Sequence, residues 1–386
     1  MATTKIRLPR NAFLETVQKS GLLAPDDLIA VLSQYDPDKI AAADPIQVAT
    51  FLVRKKLLTK FQAMHLLHGR TQGFVLGKYR LLDGIRQDRV GMVFKAEAAE
   101  TKELVSVKVL PTERVSDNTV FRAFTDEVRT AARVEHPNVA RILDLSSYHG
   151  THFVVSEHIP APTLDKVIAE QGPLDPNTAA QVVAQVAIGL LHAHRQNVLH
   201  RDIKPGNIAL LPDGRVKLID LGLTHMLENP WQKATQRMNL KEYADEIAHI
   251  APEQAWGCEL DGRSDVYSLG STFYTLLTGR VAFPGLATQA MTDRQTRDLP
   301  PPSQVRPGVP QELDELVTRM GAKDPQKRFA SAVEVVTAMQ AWLPLADWNA
   351  LGLVVKPKPA PARKAAPVEP KPRGFFGGLL AKLFGR

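Results

Sequence analysis

The stretch that most constrains this chain runs from residue 200 to residue 222, where polar groups recur at fixed spacing. It begins HRDIKPGN and ends DLG. Asp202 and Asn207 lie in the first motif, and Asp220 follows a second short apolar strand. Two carboxylates and an amide around a short hairpin can place one carboxylate at a reacting hydroxyl and an Asn/Asp pair at a metal ion. A solvated polar turn, the alternative, would not require this ordered run.

The same stretch resembles the H-R-D-x-x-x-x-N loop and the metal-binding D-F-G element of protein kinases, with Leu221 in place of phenylalanine. On these motifs the chain resembles bacterial eukaryotic-like (Hanks-type) Ser/Thr protein kinases from about Tyr79 to Trp342. The resemblance implies an α+β, bilobal protein-kinase-like fold over residues 76–345. Its small β-rich N-lobe would span 79–157, and its larger helical C-lobe 160–345.

The resemblance also implies ATP and Mg²⁺ as cofactors and a protein substrate that supplies the accepting hydroxyl. Asp202 would accept the proton of that hydroxyl or orient it, and Lys204 would stabilise the γ-phosphate. A lysine at this position is typical of Ser/Thr rather than Tyr kinases. Asn207 and Asp220 would bind the magnesium ion.

Two further catalytic positions are expected earlier in the chain. Lys108 ends a Val-Ser-Val-Lys strand and would contact the α- and β-phosphates, while Glu127 on the following helix would hold Lys108 by an ion pair. The nucleotide-binding positions that the resemblance implies are Ile85, Gly91, Val93, Ser106, Lys108, Glu157, Ile159, Ala209 and Asp220.

Other charged residues are expected to be structural or regulatory. Asp265 would tie the catalytic loop to the helical core, and Glu253 of the Ala-Pro-Glu motif would pair with Arg328. Arg201 precedes the catalytic aspartate, so a phosphorylated activation segment could dock on it. The hydroxyl acceptors in that segment are Thr224, Thr235 and Tyr243, and the sequence does not decide between Thr224 and Thr235.

The phosphate loop departs from the family pattern. Kinases carry G-x-G-x-x-G-x-V where this chain reads RQDRVGMV, so Gly91 alone remains of three glycines. Asp88 adds a charge that repels phosphate, and Arg86 or Arg89 could contact phosphate instead. Around the adenine, Ser106 replaces the usual alanine and Ala209 a larger aliphatic residue. These changes reduce the apolar contact available to the base.

The region before Ala-Pro-Glu departs as well, because residues 245–249 read DEIAH in place of G-T-P-x-Y. An ionised Glu246 cannot donate the hydrogen bond that a threonine gives there, although it could attract Lys204. Two hypotheses therefore stay open. The first is an active ATP-dependent protein Ser/Thr kinase, and the second is a weakly active or inactive kinase-like scaffold that signals by binding proteins.

Residues 1–75 are expected to form a leader of short helices. Asp44 and Thr59 are predicted N-caps, and the helix after Thr59 would bury Phe61, Met64 and Leu67. The basic run at residues 54–56 alone supports a DNA-binding helix-turn-helix, and a solvated helix end explains it equally well. We therefore expect no nucleic-acid partner, and interaction or docking on the kinase domain is the preferred role.

The positive charge of the chain, +7, is concentrated at its end, because residues 356–386 hold eight Lys or Arg and one Glu. The Pro/Lys/Ala-rich segment 353–373 is expected to be a disordered linker. Residues 374–386 would form a short basic amphipathic segment, suited to a membrane surface or a partner groove, unless it packs on its own domain.

The only cysteine is Cys258, and Met1 to Arg10 has no signal-peptide pattern. We expect a cytoplasmic protein, for which the segment 374–386 leaves a peripheral location at the inner membrane face open.

Overall fold

The computed structural model describes residues 11–33, 35–88, 90–111, 118–223 and 247–342. These form two compact units, one built from residues up to 111 together with 143–158, and the other from 118–142 together with 159–342. The first holds helices and a β-sheet, and the second is mainly helical. No helix in the described ranges is long and apolar enough to cross a bilayer.

The first unit begins with five short helices. They are α1 (Ala12–Ser20), α2 (Pro25–Leu32), α3 (Pro37–Ala42), α4 (Pro45–Arg54) and α5 (Lys60–Leu67). The predicted caps at Asp44 and Thr59 are confirmed, since their side chains accept hydrogen bonds from the backbone N–H groups of Ile46 and Gln62. Helix α3 is an element that the apolar pattern did not predict.

A six-stranded antiparallel sheet follows in the same unit. Its strands are β1 (Val75–Leu76), β2 (Tyr79–Gln87), β3 (Met92–Ala98), β4 (Leu104–Val109), β5 (Ile142–Tyr148) and β6 (Thr151–Glu157). The spatial order is β1-β2-β3-β4-β6-β5. In β4, alternate residues Val105 and Val107 are buried, which is the period of two that the sequence shows.

The buried face of α5 differs from the predicted one. Met64 and Leu67 are exposed, whereas Gln62 is fully buried. The Gln62 side chain completes a capping box with Thr59 and donates from Nε2 to the Leu81 carbonyl of β2 at 2.6 Å. A buried polar side chain is stable when its hydrogen bonds are made, so the glutamine takes the inner face. Helix α5 is thereby attached directly to β2. The aromatic ring of Phe61, also on α5, packs against the ring of Phe94 on β3.

The second unit is built around two long helices. Its elements are α6 (Asn118–Ala131), α7 (Leu164–Gln171), α8 (Pro176–His194), β7 (Ile208–Leu210), β8 (Val216–Leu218), α9 (Pro252–Trp256), α10 (Gly262–Thr278), α11 (Ala287–Thr296), α12 (Gln311–Met320) and α13 (Ala332–Ala338). Helices α8 and α10 are buried on nearly every side and form the centre of its core with α12 and α13. The β7–β8 hairpin contributes Ile208, Leu210, Val216 and Leu218 to this core, and the polar loop at residues 200–207 directly precedes β7.

Candidate functional site

The predicted site residues fall into two groups, one in each unit, and each group is described by itself. Ile85, Gly91, Val93, Ser106, Lys108 and Glu157 belong to the first unit, and Glu127, Ile159, Asp202, Lys204, Asn207, Ala209 and Asp220 belong to the second. The expected ion pair of Lys108 with Glu127 would join the two units and stays a prediction.

The phosphate hairpin of the first unit is formed by β2, the turn at residues 88–91 and β3. The turn closes with a hydrogen bond from Asp88 N to Gly91 O at 3.0 Å. Asp88 Oδ1 accepts hydrogen bonds from Val90 N at 2.9 Å and Gly91 N at 3.1 Å. A Cβ at Gly91 would lie 1.9 Å from the Val109 carbonyl oxygen. Close backbone approach therefore requires this remaining glycine, independently of any phosphate.

Lys108 lies on β4 beside this turn, and its side chain is almost fully buried. Its Nζ contacts Asp88 Oδ2 at 2.7 Å, and Arg86 Nε reaches the same oxygen at 3.4 Å. The expectation that Asp88 only repels phosphate missed this contact, because neighbours across strands are not visible in sequence spacing. The carboxylate therefore lies against the lysine that is predicted to bind phosphate.

The predicted nucleobase-binding positions of the first unit include a polar pair. Ser106 on β4 is in register with Ser156 on β6, and Ser106 Oγ lies 3.3 Å from His158 Nδ1. Burial, with a smaller effect of the Lys95 charge, lowers the pKa of His158, which favours a neutral ring. Ile85 is exposed on β2, whereas Val93 on β3 is buried. No motif or spacing in the sequence indicates that His158 would reach Ser106.

In the second unit, Asp265 on α10 holds the catalytic loop, as predicted. Its carboxylate accepts hydrogen bonds from His200 N and Arg201 N, both at 2.8 Å, and contacts His194 Nε2 at 2.8 Å. Burial alone would raise the pKa of Asp265, but the hydrogen bond and charge of His194 outweigh it and lower the pKa. His194, the last residue of α8, thereby also helps to anchor this loop.

The loop brings three of the predicted catalytic groups together. Asp202 Oδ2 lies 2.8 Å from Lys204 Nζ and accepts a hydrogen bond from Asn207 Nδ2 at 2.9 Å. Asn207 Nδ2 also donates to the Asp202 carbonyl at 2.8 Å, which fixes the amide. These bonds orient the side-chain amide oxygen of Asn207, Oδ1, away from the Asp202 carboxylate, because the single side-chain NH₂ group makes both contacts.

Asp220 is connected to this loop through its neighbour. Ile219 N donates to the backbone carbonyl of Asn207 at 2.9 Å, and Ile219 O accepts a hydrogen bond from His200 Nε2 at 2.9 Å. Asp220 follows in the left-handed region, at φ 67°. A carboxylate and an amide oxygen on adjacent backbone segments are hard ligands of the type that Mg²⁺ uses together with phosphate oxygens. The residues present therefore fit a magnesium ion bound jointly with a nucleotide.

Glu127 on α6 forms an ion pair with Arg201 Nη1 in the second unit. Arg201 is itself held in the left-handed region at φ 63°, and Gln254 Nε2 donates to its carbonyl at 2.8 Å. The arginine proposed as the docking point for a phosphorylated segment thus has a carboxylate partner within its own unit.

Two predicted nucleotide-binding positions also lie in the second unit. Ala209 is buried on β7, and the backbone carbonyl of Ile159 accepts a hydrogen bond from Ala161 N at 2.9 Å.

The predicted structural pair of Glu253 and Arg328 is confirmed. Arg328 Nη1 and Nη2 donate to the two carboxylate oxygens of Glu253 at 2.6 and 2.9 Å. Burial would raise the pKa of Glu253, but the hydrogen bonds and charge of Arg328 lower it. This pair fixes the start of α9, directly after the segment that precedes Ala-Pro-Glu.

Two buried residues beside this segment were not found from the sequence. Arg294 on α11 donates to the carbonyls of Ile247 and Ala248 at 2.7 and 3.1 Å, and His249 Nδ1 lies 3.1 Å from Ser271 Oγ. Burial, followed by the charges of Arg294 and Lys204, lowers the pKa of His249 to about 3. A single arginine in a short helix carries no signal that it will be buried.

His249 makes stability depend on pH. Its pKa is below the ordinary value of 6.5, so the unfolded chain binds a proton that the folded chain excludes, and stability falls as pH falls from 6.5 towards 3. Between pH 7 and pH 5 this contributes a loss of about 2 kcal/mol. We expect His249→Gln to remove that part of the loss, as measured by urea unfolding at both pH values. An equal loss in the variant and the parent would contradict this assignment.

Several predicted positions lie outside the described residues. They are Arg89, Thr224, Thr235, Tyr243, Glu246, the segment 353–373 and the segment 374–386. The phosphosite, the membrane or partner contact of 374–386 and the cellular location remain predictions from sequence.

Comparisons with known proteins agree with this geometry. Residues 79–341 match the family model described as protein kinase domain. Serine/threonine-protein kinase PrkC of Bacillus subtilis is 30% identical over 262 residues, which cover 68% of this chain and 40% of PrkC. Probable serine/threonine-protein kinase PknB of Bifidobacterium longum is 32% identical over 284 residues, covering 70% of this chain and 41% of that protein. The chain thus spans about two fifths of the length of these relatives.

Solved structures show the same fold. The kinase domain of PknI from Mycobacterium tuberculosis superposes with a TM-score of 0.56 at 24% identity, covering 70% of this chain and 98% of that domain. The curled antiparallel sheet and the helical second unit are those of a kinase-like fold, as the sequence motifs predicted. The chain belongs to the bacterial Hanks-type Ser/Thr protein kinase family.

Proposed function

We propose that the chain transfers the γ-phosphate of ATP to a serine or threonine hydroxyl of a protein, with magnesium. The observation that carries this proposal is the arrangement at Asp202, whose carboxylate is in contact with both Lys204 Nζ and Asn207 Nδ2. A carboxylate, a cation and a metal-binding amide in one ordered loop are what phosphoryl transfer requires, since catalysis there is mainly positioning and charge stabilisation. The relatives named as Ser/Thr kinases support the class of acceptor.

Each residue has a defined task in this reaction. Asp202 accepts the hydroxyl proton as the acceptor oxygen attacks phosphorus, and Lys204 stabilises the negative charge of the transferred group. Lys108 binds the nucleotide phosphates. Asn207 and Asp220 would hold a magnesium ion, which would supply positive charge to neutralise the nucleotide phosphates.

The test is a transfer assay on the purified chain with a generic basic protein substrate. ATP labelled at the γ-phosphate should label the chain or the substrate, ATP labelled at the α-phosphate should not, and EDTA should abolish the signal. Acid hydrolysis should release phosphoserine or phosphothreonine. Label from the α-position, or no label from either nucleotide, would contradict the proposal.

A second function, a weakly active or inactive kinase-like scaffold that signals by binding proteins, is favoured by one observation. The Asp88 carboxylate lies 2.7 Å from Lys108 Nζ, where it opposes the approach of phosphate. Under this alternative the chain would show little or no γ-phosphate transfer. A rise in melting temperature with Mg-ATP would then indicate a scaffold that binds nucleotide, and no rise would indicate one that does not. The transfer assay and a melting curve with Mg-ATP together separate the two functions.

A further inference from the structure

The Asp88 carboxylate occupies a cluster of anion-binding groups in the first unit. Val90 N and Gly91 N donate to its Oδ1, while Lys108 Nζ and Arg86 Nε contact its Oδ2. Two backbone N–H groups, an ammonium and a guanidinium therefore face one anionic side chain. This is the donor set that binds phosphate in nucleotide sites, with the aspartate in the place of the ligand.

The contact with Lys108 is protected from water. The exposed fractions of the Lys108 and Asp88 side chains are 5% and 19%, so solvent and salt screen the pair less than a surface ion pair. A phosphate group that approaches Lys108 must either displace Asp88 or accept its repulsion at close range. Both alternatives lower the affinity for a polyanion and leave the affinity for an uncharged nucleoside unchanged.

We propose that Asp88 is an internal competitor of the nucleotide phosphates at Lys108, and that it sets the affinity of this chain for ATP. The inference rests on the proposed kinase function, because it names the determinant of nucleotide binding at that site. It gives a physical role to the altered phosphate loop. The chain retains the phosphate-binding lysine but holds it occupied until a nucleotide replaces the carboxylate.

A simpler role for Asp88 is to cap its own turn through Val90 and Gly91. Asp88→Asn separates the two roles, because the amide oxygen keeps both backbone hydrogen bonds while the negative charge beside Lys108 is lost. The matched control is Asp83→Asn. Asp83 is an exposed aspartate on β2, the strand that leads into the turn, so this change alters net charge equally at a position outside the cluster.

The experiment measures the dissociation constants of ATP and of adenosine for the parent, Asp88→Asn and Asp83→Asn, by calorimetry in one magnesium buffer. We expect the ratio of adenosine to ATP dissociation constants to rise about tenfold in Asp88→Asn and to stay at the parental value in Asp83→Asn. In the transfer assay, the KM for ATP should fall by a similar factor with kcat nearly unchanged.

Three results would overturn the inference. They are an unchanged or lower ratio in Asp88→Asn, an equal rise in Asp83→Asn, and the absence of nucleotide binding in all three proteins. The first two leave the kinase function intact if the parent transfers γ-phosphate. The third, together with no transfer, contradicts the proposed function as well. Because each protein is compared by the ratio of two ligands, a partly unfolded sample does not imitate the expected result.

Discussion

Asp202→Asn is expected to lower the rate of γ-phosphate transfer by about a thousandfold or more. The change removes the only group in the catalytic loop that is placed to accept the hydroxyl proton, and general-base catalysis contributes roughly 10²- to 10⁴-fold. It also removes the negative partner of Lys204, whose Nζ lies 2.8 Å from the carboxylate. The measurement is single-turnover transfer at saturating ATP.

The fold and nucleotide binding should survive this substitution. Asparagine has the size of aspartate, and its side-chain oxygen can still accept the hydrogen bond from Asn207 Nδ2. Melting temperature and ATP affinity should therefore stay near the parental values. A large change in either would show that the carboxylate is needed for structure, and the loss of transfer could not then be assigned to proton transfer.

The control for Asp202→Asn is Asp213→Asn in the β7–β8 turn. Asp213 forms an exposed ion pair with Arg215 at 2.7 Å, and such surface pairs contribute little to stability. This variant should transfer phosphate at the parental rate. If Asp202→Asn retained transfer within about threefold of the control, Asp202 would not be the catalytic base.

The sequence predicted the residues of the second unit well because their spacing is short. Asp202 and Asn207 belong to one loop, so their relation follows from local chain geometry. The partners Glu253 and Arg328 are 75 residues apart, and here the family resemblance supplied what spacing could not. Where neither local geometry nor a family motif applied, as for Arg294 and His249, the sequence contained no usable signal.

The first unit shows the opposite case. The degenerate phosphate loop was evident in the sequence, but its consequence was not. Whether Asp88 faces solvent or Lys108 depends on the register of β2, β3 and β4, which pairs Lys108 with Val93 across the sheet. Similarly, the apolar pattern of α5 does not place Gln62 on the buried face, which it occupies through its hydrogen bond to the Leu81 carbonyl. Polar residues buried by tertiary contacts are the ones that binary apolar patterns assign wrongly.

We expect the loss of Arg328 to cause a large decrease in the free energy of unfolding. Its side chain is fully buried and donates two hydrogen bonds to the Glu253 carboxylate. It also donates one hydrogen bond each to the backbone carbonyls of Ala322, Arg263 and Lys323. The guanidinium also stacks 4.8 Å from the ring centre of Tyr267. Arg328→Met leaves a carboxylate in a mostly buried site without its cation. We expect a loss of about 3–5 kcal/mol in the free energy of unfolding, measured by urea denaturation at pH 7.

A double-mutant cycle identifies the source of that loss. Glu253→Gln removes the negative charge but keeps an oxygen that can accept from Arg328. If the buried charge pair is responsible, the double variant Glu253→Gln/Arg328→Met should be more stable than the sum of the single losses predicts, by at least about 1 kcal/mol. Additive losses would instead assign the effect to packing on Tyr267 and to the three carbonyl bonds.

Arg215→Met supplies the matched comparison, since Arg215 is an arginine of the same unit whose pair with Asp213 is exposed. Its loss should cost less than about 1 kcal/mol. The difference between the two arginines would then measure burial rather than charge.

Because the Glu253–Arg328 pair fixes the start of α9, Arg328→Met should also reduce transfer to a protein substrate more than it reduces ATP binding. Equal reduction of both would indicate general unfolding.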